Sequence, residues 1–157
     1  MTTDFLALLN TSVLPIAAEH AADVDRTARF PTEAMAALAA SGLQGLISAT
    51  AVGGMGQGIR AAALVVERLA RECPSTAMIT CMHFSGTAVL EKFGAEQVRR
   101  DIAAGRHLST LAFSEQGSRS HFWAPVSSAA RDAGGVRLKA HKSFVTSANH
   151  ATAYVWS

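Results

Sequence analysis

His107-Leu-Ser-Thr-Leu-Ala-Phe-Ser-Glu-Gln-Gly-Ser-Arg-Ser-His121 is the stretch at which this chain changes character. Ahead of it the sequence is alanine-rich and apolar at helical spacing, and behind it come short alternating runs and turns. Leu108 to Phe113 reads as a strand that opens into a polar run from Ser114 to His121. One glycine and three serines in that run give a loop with free backbone N–H groups and hydroxyls. Such a loop suits an anionic or hydrogen-bonding ligand, or a plain water-facing turn. The switch predicts an α+β chain, helical over residues 1–106 and β over residues 107–157.

Towards the N-terminus, Phe5, Leu8, Leu9, Ser12, Val13, Ile16 and Ala17 recur at helical spacing. They predict a helix from about Asp4 to Thr27, with Pro15 as a break or bend. Phe30-Pro-Thr-Glu33 starts a second helix, because proline in a first turn lacks only an N–H that would be unpaired anyway. Ser41-Gly42 ends it, with glycine free to turn left-handed. Leu43 to Ile47 reads as a short extended piece. Val52-Gly-Gly-Met-Gly-Gln-Gly58 holds four glycines in seven residues, without the strand and acidic residue of a dinucleotide fingerprint. It reads as a tight entry into a third helix, Ile59 to Arg71. Pro74 reads as a stop, and Ser75 to Phe93 as a fourth helix, apolar almost all round and therefore central. Gly86 within it leaves room for a close helix crossing, and a fifth helix spans residues 95–103.

Towards the C-terminus, Val126 to Arg131 reads as a strand and Asp132-Ala-Gly-Gly135 as a turn. Val136, Leu138 and Ala140 alternate with Arg137, Lys139 and His141, the pattern of a half-buried strand. Ala151 to Trp156 is a further strand, and an apolar run reaching the last residue predicts that the fold continues past Ser157.

At 49% hydrophobic and 17% charged, the composition suits a packed core. Fourteen Lys and Arg against twelve Asp and Glu are too balanced for a nucleic-acid binder. Cys73 and Cys81 fit no metal or disulfide pattern and read as reduced thiols. No basic leader precedes an apolar segment, and no apolar run is read as long enough to span a membrane, which leaves the cytoplasm by elimination. His83 sits on the apolar fourth helix, either as a base or ligand contact or as a core histidine with both nitrogens satisfied. Glu115 with Ser114 and Ser120 suggests a carboxylate–hydroxyl couple. Lys139, His141 and Lys142 form a charged strand edge or a phosphate site, and Met35, Met55, Met78 and Met82 read as core packing.

Taken together, the motifs resemble the acyl-CoA dehydrogenase superfamily of flavoproteins. Phe113-Ser-Glu-Gln-Gly-Ser-Arg-Ser-His121 looks like the family's Thr-Glu-Pro-Gly-Ala-Gly-Ser-Asp signature. Gly135-Val-Arg-Leu-Lys-Ala-His-Lys-Ser-Phe-Val-Thr146 looks like its Gly-x-Lys-x-Trp-Ile-Thr signature. The resemblance implies an N-terminal antiparallel helical bundle followed by the first strands of an incomplete β-barrel-like domain. It implies a homo-oligomer in the cytoplasm, no membrane or nucleic-acid partner, and a small-molecule substrate of the acyl-CoA kind. The reaction it implies is hydride transfer from the substrate β-carbon to N5 of FAD, with the base in a C-terminal domain outside these residues. Residue by residue, Leu111 and Phe113 border the flavin pyrimidine edge, and Ser114 takes the place of the threonine that hydrogen-bonds the ring. Phe144 replaces the tryptophan against the ring, Thr146 brings a hydroxyl near N5, and Ser120 matches the serine that contacts the substrate.

Gln116, Arg119 and His121 stand where the signature has proline, glycine and aspartate, and Ala140 where the second has glycine. That version is similar to divergent members, including monooxygenases that use reduced flavin, such as FMN, and oxygen. In such members a histidine of the fourth helix faces the flavin pocket, which makes His83 the catalytic candidate. A non-catalytic helical interaction module is the reading from another class.

Overall fold

The computed structural model describes residues 4–119, 121 and 124–156. Asp4 starts the chain's helices, its carboxylate accepting from the N–H groups of Leu6 and Ala7 at 3.0 Å each. Helix α1 (Phe5–Leu8) passes through a π-helical turn (Leu9–Val13) into α2 (Leu14–Thr27). The bend expected at Pro15 takes this form: the widened turn carries the helix past a residue that cannot donate. Helix α3 (Thr32–Ala40) ends as expected, with Gly42 left-handed at φ 76°.

Leu43–Gly45 is a 3₁₀ turn rather than an extended piece. In that geometry residues three apart share a face, so Leu43 and Leu46 both enter the core, each 0% exposed. The glycine-rich run then leads into α4 (Ile59–Glu72). Helix α4 stops just before Pro74 as expected, but Pro74 itself, and not Ser75, opens α5 (Pro74–Phe93), where its missing N–H removes no helical bond. Helix α6 (Glu96–Ala103) completes the bundle, whose core includes Leu9, Val13, Leu38, Val65 and Leu69, all fully buried.

Helix α5 packs on α4, α6 and the β segment, the central place its apolar sequence implied. Strand β1 (Ser109–Ala112) pairs in parallel with β4 (Ala153–Trp156), Ser109 opposite Ala153 and Ala112 opposite Trp156. Gly86 serves this contact and not a helix crossing: a Cβ there would lie 3.0 Å from Ser109 Cβ and 3.5 Å from Val155 Cγ2. Strands β2 (Ala129–Asp132) and β3 (Gly135–Leu138) form a separate antiparallel hairpin. The expected half-buried β3 is exposed on both faces, because no other layer among the described residues packs on it. Phe30 stacks on His150 at 4.0 Å between ring centroids, tying the segment before β4 to the bundle. Both cysteines are free thiols, as expected.

One helix exceeds the expectation on membrane length. Phe5–Thr27 has 23 residues, and its most apolar stretch reaches a mean hydropathy of 1.2, enough to span by length and composition. Its buried stripe is Leu9, Val13, Ala17 and Val24, packed within the bundle core. The residues it exposes include Asn10, Thr11, Ser12, Glu19, Asp25 and Arg26 among small alanines, a surface suited to water and not to lipid.

Candidate functional site

A cavity of about 500 Å³ lies where α5 meets the β segment, lined by Met78, Met82, Leu111, Phe113, Ser114, Phe144, Val145 and Thr146. Its construction follows from local periodicities. Met78 and Met82 are one helical turn apart on α5, so they share a face. Leu111 and Phe113 are two apart along an extended chain, so they point the same way. Beyond β1, three contacts place the second signature segment beside the first. The N–H of Ser143 donates to Ser114 O at 2.9 Å, the N–H of Gln116 donates to His141 O at 3.0 Å, and Glu115 and Lys142 form an antiparallel bridge. Phe144 stands at the cavity's rim, 93% exposed, with a left-handed φ of 52°.

The structure therefore brings Leu111, Phe113, Ser114, Phe144 and Thr146 to one cavity. Ser120 lies outside the described residues. Met78 and Met82 were expected in the core with Met35; Met35 is there, but Met78 is 57% exposed and both line the cavity. Their i, i+4 spacing was the available signal. No lining side chain is titratable in the neutral range, so the cavity presents thioethers, aromatic and aliphatic groups and two hydroxyls. No group of three His, Cys, Asp or Glu among the described residues forms a metal site.

His83 does not line this cavity. It is 1% exposed, and the Ser109 N–H donates to its Nδ1 at 3.1 Å. Nε2 therefore carries the proton and donates to Gln44 O at 3.0 Å. Burial pushes its pKa down to about 4, against the pull of the Gln44 carbonyl that accepts from Nε2. A neutral imidazole thus ties α5 to β1 and to the Leu43–Gly45 turn, with both nitrogens in use.

Glu115 is a second buried titratable group, its side chain 1% exposed. It accepts from Lys142 Nζ at 2.8 Å, from the N–H groups of Val126 and Ser127 at 2.9 Å each, and from the Ser127 hydroxyl. The Lys142 ammonium, then the Ser127 hydroxyl, bring its pKa down to about 2. Its hydroxyl partner is thus Ser127, where the sequence suggested Ser114 or Ser120. Lys142 faces Glu115 and lies 5.3 Å from the centre of the Trp156 ring, while Lys139 and His141 are exposed. The basic trio is therefore divided, with one member committed to an internal pair.

A helical bundle leading into an unclosed β segment, with α5 lying across their junction, has the form of the flavin-binding acyl-CoA dehydrogenase-like superfamily. Residues 8–105 match the family "Acyl-CoA dehydrogenase, N-terminal domain", and the chain belongs to it. The probable acyl-CoA dehydrogenase fadE25 of Mycobacterium leprae is 34% identical over 141 residues, which cover 87% of this chain and 36% of that protein. The chain thus spans about a third of that relative's length. Among solved structures, KijD3 in complex with FMN and dTDP-3-amino-2,3,6-trideoxy-4-keto-3-methyl-D-glucose is 26% identical with a TM-score of 0.78, covering 99% of this chain and 40% of that one. The nitrososynthase from Micromonospora carbonacea var. africana is 26% identical with a TM-score of 0.75, covering 94% and 39%.

Proposed function

We propose that this chain supplies one wall of a flavin site in an oxidoreductase of acyl-CoA dehydrogenase type. The observation that carries the reading is the cavity into which both signature segments and α5 converge. Its apolar walls and its two hydroxyls, on Ser114 and Thr146, fit a flat ring system with a polar edge. In this reading Leu111 and Phe113 pack along the pyrimidine edge, Ser114 and Thr146 donate hydrogen bonds, and Phe144 covers the ring's face against water. A bound flavin, FAD or alternatively FMN, supplies the two-electron acceptor. Ser120 contacts the substrate, a small molecule of the acyl-CoA class. His83 contributes by holding β1, which bears Leu111, against α5. A homo-oligomer and a cytoplasmic location belong to the same reading, and light scattering and cell fractionation test them.

Fluorescence titration of the 157-residue chain with FMN and FAD tests the site. The parent chain is expected to quench flavin emission. Ser114→Ala combined with Thr146→Val is expected to weaken binding about tenfold, the effect of two lost hydrogen bonds. Unquenched flavin, or unchanged affinity in the double variant, would overturn the reading. Abstraction of a substrate α-proton needs a base, and the cavity presents none. The same sample, given flavin, an acyl-CoA and an electron-accepting dye, is therefore expected to reduce dye no faster than free flavin does. Sustained turnover would show a base within these residues.

The likeness to KijD3 with FMN and to a nitrososynthase, with Gln116, Arg119 and His121 in the first signature, favours one second reading, a monooxygenase using reduced flavin and oxygen. Product analysis on a protein that includes the rest of the relatives' length separates the two. Oxygen incorporation identifies the monooxygenase, and a new α,β double bond identifies the dehydrogenase.

A further inference from the structure

We infer that Glu115 and Lys142 are positioning residues for the flavin wall: their buried pair sets the register between the two signature segments, and so aims the Ser114 and Thr146 hydroxyls at one ligand. This rests on the flavin reading.

The backbone alone holds that register weakly. Strands β1 with β4 and β2 with β3 belong to two separate sheets. Between the signature segments there is a single isolated bridge, Glu115 opposite Lys142, flanked by the Ser143–Ser114 and Gln116–His141 hydrogen bonds. A pairing this short specifies register poorly, and a slip of one residue turns every side chain to the other face.

The side chains supply what the backbone lacks. The side chains of Glu115 and Lys142 are 1% and 4% exposed, and a buried ion pair is tolerated only when its geometry and remaining hydrogen bonds are nearly complete. Here the carboxylate accepts from four donors on Lys142, Val126 and Ser127, so it gathers three segments at one point. Glu115 and Lys142 line a separate cavity with Trp156, while Ser114, next to Glu115, and Phe144, two residues past Lys142 where the chain turns left-handed, line the flavin cavity. The pair therefore acts through the backbone it fixes, without touching the ligand. The core of the helical bundle, around Leu38 and Leu69, includes neither residue.

FMN titrations of the parent chain, Glu115→Gln, Lys142→Met and the double variant test the pair. Each single variant is expected to weaken FMN binding at least tenfold and to alter the visible absorption of the bound flavin, with the helical far-UV signal kept. The double variant is expected to lose no more than either single one, since the two residues act as a unit. Wild-type affinity and spectrum in either single variant would overturn the inference while leaving the flavin site standing. Additive losses, or collapse of the helical signal in both single variants, would overturn it as well. A parent chain that leaves flavin unquenched removes the flavin reading and this inference together.

Discussion

Gly54→Ala is expected to destabilise the protein by about 3 kcal/mol and to lower its melting temperature by roughly 10 °C. A Cβ at Gly54 would lie 2.2 Å from Ser48 O and 2.5 Å from Ser48 Cβ, closer than atoms can approach. Ser48 is 0% exposed and its carbonyl accepts from the Gly56 N–H at 2.8 Å, so it has no direction in which to yield. The same loop is laced to the 3₁₀ turn by the N–H groups of Met55 and Gln57, which donate to Gly45 O and Leu46 O. Displacement at Gly54 thus reaches Leu46 and the core. Gly53 is the control: a Cβ there meets nothing within 4 Å, but its φ is 94°. Gly53→Ala is expected to cost about 1 kcal/mol, from backbone strain alone. Thermal melts of the two variants beside the parent would decide it, and equal shifts would refute the packing argument.

Acid is expected to remove about 3 kcal/mol of stability between pH 6.5 and pH 4, through His83. In the unfolded chain the imidazole titrates near its ordinary 6.5; in the folded protein burial lowers it to about 4. Between those values the unfolded chain binds a proton that the native state does not. Stability is therefore complete above pH 6.5 and falls as pH falls through the window. Glu115 acts in a lower window, its stabilisation lost as pH falls from 4.5 towards 2. Urea unfolding at pH 7, 5.5 and 4 measures the first slope. His83→Gln, whose amide can offer one donor and one acceptor to Gln44 and Ser109, is expected to flatten it. An unchanged slope in that variant would assign the effect elsewhere.

The bundle was legible because its signals are local. The Gly42 stop and the apolar stripes of α3 to α6 lie within a few residues of what they control. Pro74 marks both the end of α4 and the first residue of α5, since a proline that ends one helix also starts the next. The β segment was placed but its burial was not. Alternation in β3 describes a face awaiting a neighbour, and the sequence cannot say whether a neighbour is present. The residues of the cavity were legible through two signatures read as a pair. The pair of Glu115 and Lys142, 27 residues apart, was not, because its geometry depends on a bridge that only folding creates. His83 shows the same limit in another form. Its partners are main-chain groups of Gln44 and Ser109, and a backbone amide or carbonyl leaves no mark on the identity of the residue that bears it.

The parallel pairing of β1 with β4 sets an order of assembly. Leu108 and Thr152 meet although they stand 44 positions apart in sequence, and Ser109 finds Ala153 only once that whole length exists. The helices of the bundle all end by Ala103, so every contact among them lies within the chain made before residue 104. On a growing chain, the bundle can therefore pack before residue 153 is made, while β1 lies without its β-partner. The cavity wall that sets residues 144–146 beside Ser114 likewise closes after the helices, on a scaffold already packed.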